Sequence, residues 1–311
     1  MNILGGPLNR PIFCPTVGWQ ANAETFANSS TIGANISGVF INRQNTIYHA
    51  SQTLRQILVW LENNGTVSRT IPFNRSSLAG LYVTSNGDIY LHVGQPVGQV
   101  ERYSVNSSNP TTIMNVSMGV CFGLAITENG TLYCSLGQTS ARVIRTTLGN
   151  TAVIATVAGD GIPGVTATRL ISPYGIFVDT NFSLYVADFG NNRIQLFQPG
   201  QLSATTVAGT GAANTITLFR PTFVALDGNG YLYILDFGNH RVVGSGPNGF
   251  QCVAACTGSL GSAANQLNQP SSFTFDSYGN IWVTDMANGR IQKFILATNS
   301  CGKIHDCQTI Q

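Results

Sequence analysis

The sequence predicts an all-β fold, a six-bladed β-propeller of four-stranded antiparallel blades closed by an N-terminal strand. Three observations predict it: a composition poor in charge and rich in turn formers, a unit that recurs along the chain, and apolar–polar alternation inside each unit. The 311 residues are only 9% charged but 43% hydrophobic, and 34 are Gly. An average soluble domain is roughly 25% charged, so helix-favouring Lys and Glu are scarce here, while the apolar content suffices for a large core.

The unit is clearest in three segments: PYGIFVDTNFSLYVADFGNNRIQLF from Pro173, PTFVALDGNGYLYILDFGNHRVVGS from Pro221 and PSSFTFDSYGNIWVTDMANGRIQKF from Pro270. Weaker copies precede them: SGVFINRQNTIYHAS, AGLYVTSNGDIYLHV and FGLAITENGTLYCSL. Equivalent positions fall at Ser51, Val93, Leu136, Asp188, Asp236 and Asp285. The mean period is about 47 residues, as expected of propeller blades. In the fourth unit a strand at Gly175–Asp179 meets a polar turn. A second strand follows at Leu184–Asp188, then a GNN turn, a third strand at Arg193–Phe197 and a fourth at Thr206–Gly209. Such alternation between turn residues specifies antiparallel strands. The last unit stops at its third strand, so Ile12–Val17 is expected to supply its fourth and close the ring. The expected layout is an N-terminal segment over 1–36, six repeats over 37–297 forming one propeller with 12–17, and a tail over 298–311.

The pattern from Val157 to Ile194, VAGDG followed by L-x-x-P-x-G-I-x-V-D and LYVAD-x-x-NNRI, resembles the NHL repeat. The resemblance covers nearly the whole chain; it is strong in units four to six and degenerate in one to three. It implies a six-bladed propeller that mainly binds other molecules. Within such a family the alternatives are intracellular modules for ubiquitin ligation or RNA binding, and propeller lactonases or amidoglycolate lyases.

Charge and motifs narrow these. The 15 Lys and Arg form no run of the kind that binds nucleic acid or an anionic membrane. The uncharged segment 103–127 is broken by Asn106, Asn109, Pro110 and Asn115, so it does not read as a span. The start, MNILGGPLNRP, shows no apolar signal-peptide core. Seven cysteines and eight Asn-x-Ser/Thr sequons (Asn28, Asn35, Asn64, Asn74, Asn106, Asn115, Asn129, Asn181) favour an extracellular, disulfide-bonded glycoprotein. The expected pairs are Cys121–Cys134, Cys252–Cys256 and a ring clasp Cys14–Cys301, with Cys307 unpaired.

Asp188 with Arg193, Asp236 with Arg241, and Asp285 with Arg290 recur five residues apart. They read as one structural ion pair per blade rather than a ring of charged ligands: where Asp gives way to Ser51 and Val93, Arg gives way to Gln56 and Gln99. Gly159–Gly164 matches G-x-G-x-x-G, but a proline and no helical period follow, so no dinucleotide site is expected. His49 and His92 align with adjacent strand positions and are expected to be solvated or locally bonded, not to converge on zinc with His240. No metal, cofactor or catalytic residue is assigned. Phe189, Phe237 and Met286 follow the repeated Asp residues, near Asn192, His240 and Asn288. They read either as a binding patch or as inter-blade packing. The resulting expectation is a monomeric, non-enzymatic scaffold that binds a protein or glycan, with no nucleic acid and no membrane insertion.

Overall fold

The computed structural model describes residues 8–34, 36–73, 77–94, 98–104, 109–116, 119–137 and 140–300. They form six four-stranded antiparallel sheets arranged as the blades of a propeller. The first strands of the blades are Ile36–Ile41, Ser77–Val83, Cys121–Ile126, Pro173–Val178, Pro221–Leu226 and Pro270–Phe275. They line the central channel. Blade four shows the common pattern, Pro173–Val178, Leu184–Asp188, Arg193–Phe197 and Thr205–Gly209, paired in that order. Among the described residues no helix is long and apolar enough to cross a membrane.

Each blade packs between two others, so its inner strands are buried on both faces. All five residues of Ile47–Ser51 and all six of Thr131–Leu136 are buried. Polar residues in these strands therefore lie in the interior, which alternation alone does not reveal.

The ring closes through the N-terminal segment, but not through Ile12–Val17. Blade six takes its outermost strand from Glu24–Ala27, which pairs with Arg290–Phe294. Thr16–Trp19 instead pairs with Leu296–Ser300 in a separate two-stranded ribbon. The closing strand is an outer one, covered on one side only. Its sequence, ETFA, needs just Phe26 and Ala27 for packing, and Phe26 sets its edge against Trp60 and Trp282 with ring centroids 5.4 and 4.9 Å away.

We call "upper" the face bearing the turns between second and third strands and the loops between blades, and "lower" the face bearing the other hairpin turns. Residues 8–13 strap the lower mouth of the channel. The Asn9 side-chain amide donates to the carbonyls of Ile41, Asn42 and Phe275, bridging blades one and six. Arg10 donates to the Asp227 carbonyl and lies over the Phe177 ring. Phe13 is buried among Trp19, Tyr233 and Phe275.

Two disulfides form as expected. In blade three Cys121 stands opposite Leu136, and a bulge between Cys121 and Gly123 brings Cys121 to 5.2 Å from Cys134, Cα to Cα. Cys252 and Cys256 are 5.8 Å apart across a turn. Cys14 is disulfide-bonded, but the Cys14–Cys301 clasp and an unpaired Cys307 fall outside the described residues.

Candidate functional site

The repeated carboxylates organise the upper face. Asp188 is fully buried; its Oδ1 accepts from the Ile171 backbone N–H at 2.7 Å, and its Oδ2 accepts from Asn191 Nδ2 and Arg193 Nε, both at 2.8 Å. Asp236 repeats this with the Phe219 N–H, Asn239 and Arg241. Asp285 does so with the Asn268 N–H, Asn288 and Arg290. The arginines then reach outward to loop carbonyls. Arg193 holds those of Val165, Thr166 and Arg169; Arg290 holds those of Ser262, Ala263 and Gln266. Each cluster thus fixes the loop that enters its own blade.

Loop length explains where these clusters occur. The loops entering blades four, five and six are long, 159–172, 210–220 and 255–269. Those entering blades two and three are only 73–76 and 116–120, and there the Asp positions hold Val93 and Leu136. A short connection needs no internal clamp, so the apparent degeneracy of these repeats follows from geometry.

Of the six residues expected to bind, three use their polar atoms within the fold. Asn192 Oδ1 accepts from the Arg220 N–H, and His240 Nδ1 from the Gln269 N–H, each stitching one blade to the next. Asn288 Nδ2 donates to Asp285 and to the Gly261 carbonyl. Phe189, Phe237 and Met286 open single-turn 3-10 helices and are half-buried. Phe189 stacks on Tyr174 at 4.7 Å, and Tyr174 on Phe122 at 4.2 Å. Phe237 lies tilted 6.0 Å beyond, and the Arg220 guanidinium sits over Phe189 at 5.7 Å. The faces of Phe122, Tyr174 and Phe189 are thus engaged by neighbouring rings and Arg220, and Phe122 and Tyr174 also line the channel. Sequence reasoning missed Phe122 and Tyr174, which share the second position of their first strands. Aligning that position across the six units would have revealed them.

The channel is narrow. A Cβ at Gly80, Gly123 or Gly175 would come within 3.0 Å of atoms of the next blade, so Gly there permits the close approach of the first strands. The remaining cavity is about 100 Å³, against roughly 300–1,000 Å³ for an ordinary ligand pocket. Asp179, Asp227 and Asp276, at the lower ends of these strands, each accept two backbone N–H bonds through Oδ1 and so close their own turns. Among the described residues no three His, Cys, Asp or Glu side chains converge as a metal site would need.

His49 and His92 are buried, not solvated. His49 Nδ1 bonds the Gly38 carbonyl at 2.9 Å, while both ring nitrogens of His92 lack partners. Burial lowers both pKa values to about 4 from 6.5. It raises Asp227 to about 6, only partly offset by its backbone N–H bonds. The signs oppose one another. Between pH 6.5 and 5 the unfolded chain takes up protons on both histidines, while the native protein takes up one on Asp227. The net excess of about one proton in the unfolded state costs on the order of 1.4 kcal/mol per pH unit. Urea unfolding is therefore expected to show a loss of about 1–2 kcal/mol from pH 7 to 5. His92→Leu should flatten that slope. Equal or greater stability at pH 5 in the unaltered protein would refute the assignment.

No protein-family model matches the chain, and no curated protein does. Solved structures share its architecture. An auxiliary nutrient binding protein from Bacteroides ovatus superposes with a TM-score of 0.66 at 15% identity, covering 94% of this chain and 76% of that one. A protein of unknown function from Bacteroides thetaiotaomicron gives 0.68 at 16%, covering 89% and 76%. Virginiamycin B lyase from Staphylococcus aureus gives 0.62 at 12%, covering 88% and 99%. At these identities the likeness establishes the fold alone. It also corrects the expectation of a non-enzymatic scaffold: an enzyme is built on this same propeller, so the architecture gives no ground for setting catalysis aside.

Proposed function

We propose that the chain is an extracellular NHL-type propeller that recognises a protein partner through the upper face of blades four to six. The observation that carries this reading is a set of exposed apolar side chains on loops held rigid from below. Ile162, Val165, Phe219 and Leu260 are 54, 70, 46 and 57% exposed, and their loops hang from the buried Asp188, Asp236 and Asp285 clusters. Apolar anchors on a pre-organised surface lose little entropy on association. The engaged ring faces favour a protein over a glycan, because sugar rings dock on free aromatic faces. The disulfides support an oxidising compartment, and the sequons support secretion.

Photocrosslinking tests the reading. A crosslinking residue at position 219 or 260 is expected to capture a discrete extracellular protein. The same residue at Leu202, equally exposed on the lower face, should not. Equal labelling from both faces would count against the docking face.

A further inference from the structure

Several described asparagines use their amide nitrogens to build the fold, and most of the described sequon residues do not. Outside the sequons, Asn9, Asn191, Asn229, Asn239, Asn280 and Asn288 each donate through Nδ2 to hold the fold together. The described sequon residues, Asn28, Asn64, Asn115, Asn129 and Asn181, are all exposed. Among them only Asn64 uses Nδ2, in a 3.3 Å bond to Ser68 of its own turn. Three of them work through Oδ1 instead. Asn28 Oδ1 accepts from the N–H and hydroxyl of Ser30, Asn64 Oδ1 from those of Thr66, and Asn129 Oδ1 from those of Thr131. In each case the donor is the sequon's own hydroxyl residue.

N-glycosylation alters Nδ2, which the fold leaves idle at Asn28, Asn129 and Asn181 and uses at Asn64 only within its own turn. Nδ2 attacks C1 of an oligosaccharide carried on a lipid diphosphate. The N–C1 bond forms, the C1–O bond to phosphate breaks, and the lipid diphosphate leaves together with the one proton that Nδ2 gives up. Oδ1 keeps its acceptor bonds. At Asn64 the remaining N–H still reaches Ser68.

Position adds a second observation. Asn64, Asn129 and Asn181 lie in hairpin turns of the lower face, while Asn28 and Asn115 follow or end the outermost strands Glu24–Ala27 and Thr111–Asn115. No sequon lies beyond Asn181, and none falls in the loops 159–172, 210–220 or 255–269. We infer that Asn28, Asn64, Asn129 and Asn181 are N-glycosylation sites: the glycans at Asn64, Asn129 and Asn181 cover the lower face, that at Asn28 stands at the rim on the connection from blade six to blade one, and the long loops 159–172, 210–220 and 255–269 stay bare for the partner. The inference rests on the extracellular reading above.

The test is secretion of the full chain from eukaryotic cells behind a signal peptide. Glycosidase treatment in ¹⁸O-water follows, with peptide mass spectrometry to mark each formerly occupied Asn. The expected result is labelling at all four positions and an unchanged melting curve after glycan removal. Secreted, disulfide-bonded protein without label at these positions would overturn the inference while leaving the extracellular reading intact. Protein retained in the cell with reduced Cys121 and Cys134 would overturn both. A second arm tests the bare face. Leu260→Asn creates a sequon with Ser262, and its glycan should reduce crosslinking from position 219 at least tenfold. Asn129→Gln and Asn181→Gln should leave that crosslinking unchanged. The opposite pattern would sink the assignment of the faces.

Discussion

Deleting residues 1–27 is expected to abolish the cooperative fold. The deletion removes the outer strand of blade six, the strap under the channel and one half of the Thr16–Trp19 ribbon together. Glu24–Ala27 is the sole partner of Arg290–Phe294 on its outer side, so its loss exposes an unpaired edge and uncovers Trp60 and Trp282 beneath Phe26. Burying one large aromatic side chain is worth about 3–5 kcal/mol by truncation, and whole domains hold only about 5–15 kcal/mol. The deletion removes both Phe13 and Phe26, so the expected loss exceeds what the fold can absorb. Two point variants separate the contributions. Phe26→Ala should cost less than the deletion because its strand's backbone pairing survives. Phe13→Ala should cost about 3–4 kcal/mol through its cluster with Trp19, Tyr233 and Phe275. Circular dichroism and urea melts decide the matter. A truncated chain that melts within a few degrees of the intact one would show that the ring closes by other means.

Blades four to six were legible because each solves the same packing problem with the same residues. The Pro, Asp and Arg positions recur at one spacing, and the strands Leu184–Asp188 and Arg193–Phe197 fall where alternation places them. The closing strand was misplaced for a physical reason. Ile12–Val17 looks like a strand because it is apolar, but Phe13 is apolar in order to plug the lower face, and the true strand ETFA carries little hydrophobic signal because only one of its sides is covered. His92, buried without a local bond, was misread for a related reason, whereas His49 does bond the adjacent strand at Gly38. Opposite sides of an ordinary sheet are core and solvent, whereas opposite sides of an inner propeller strand both face neighbouring blades. Cys121–Cys134 was legible because hairpin register is local. The aromatic ladder was not, because Phe122 meets Tyr174 only across blades three and four, and Phe189 meets Phe237 only across blades four and five. The candidate binding face lies still further from the sequence. Its anchors Phe219 and Leu260 sit in loops of different length, where no repeat position marks them.

Asp236→Ala is expected to loosen the upper face of blade five, costing about 3–5 kcal/mol. Its carboxylate accepts three hydrogen bonds in full burial, from the Phe219 N–H, Asn239 and Arg241. Removing it leaves a guanidinium without its counter-charge and a backbone N–H without its acceptor. The N–H is costly to leave unpaired at a buried position, and the one-quarter-exposed guanidinium loses its counter-charge with only partial solvation in return. Asp236→Asn keeps the shape and one acceptor, so it should cost less than Ala, with a residual cost because its NH₂ faces either the Phe219 N–H or the donors Asn239 and Arg241. The consequence is local as well as global: Arg241 also holds the Thr217 carbonyl, so the loop 210–220 loses the tether at the Phe219 N–H and slackens at Thr217, while the Arg220 N–H bond to Asn192 remains. Hydrogen exchange should therefore accelerate first at Phe219, well before global unfolding, and partner crosslinking from position 219 should weaken in step. The equivalent change at Val93 in blade two, Val93→Ala, removes only packing and should cost about 1–2 kcal/mol with no such local opening. If Asp236→Ala proves as mild as Val93→Ala, the carboxylate does not organise its loop, and the rigid upper face on which recognition depends loses its physical basis.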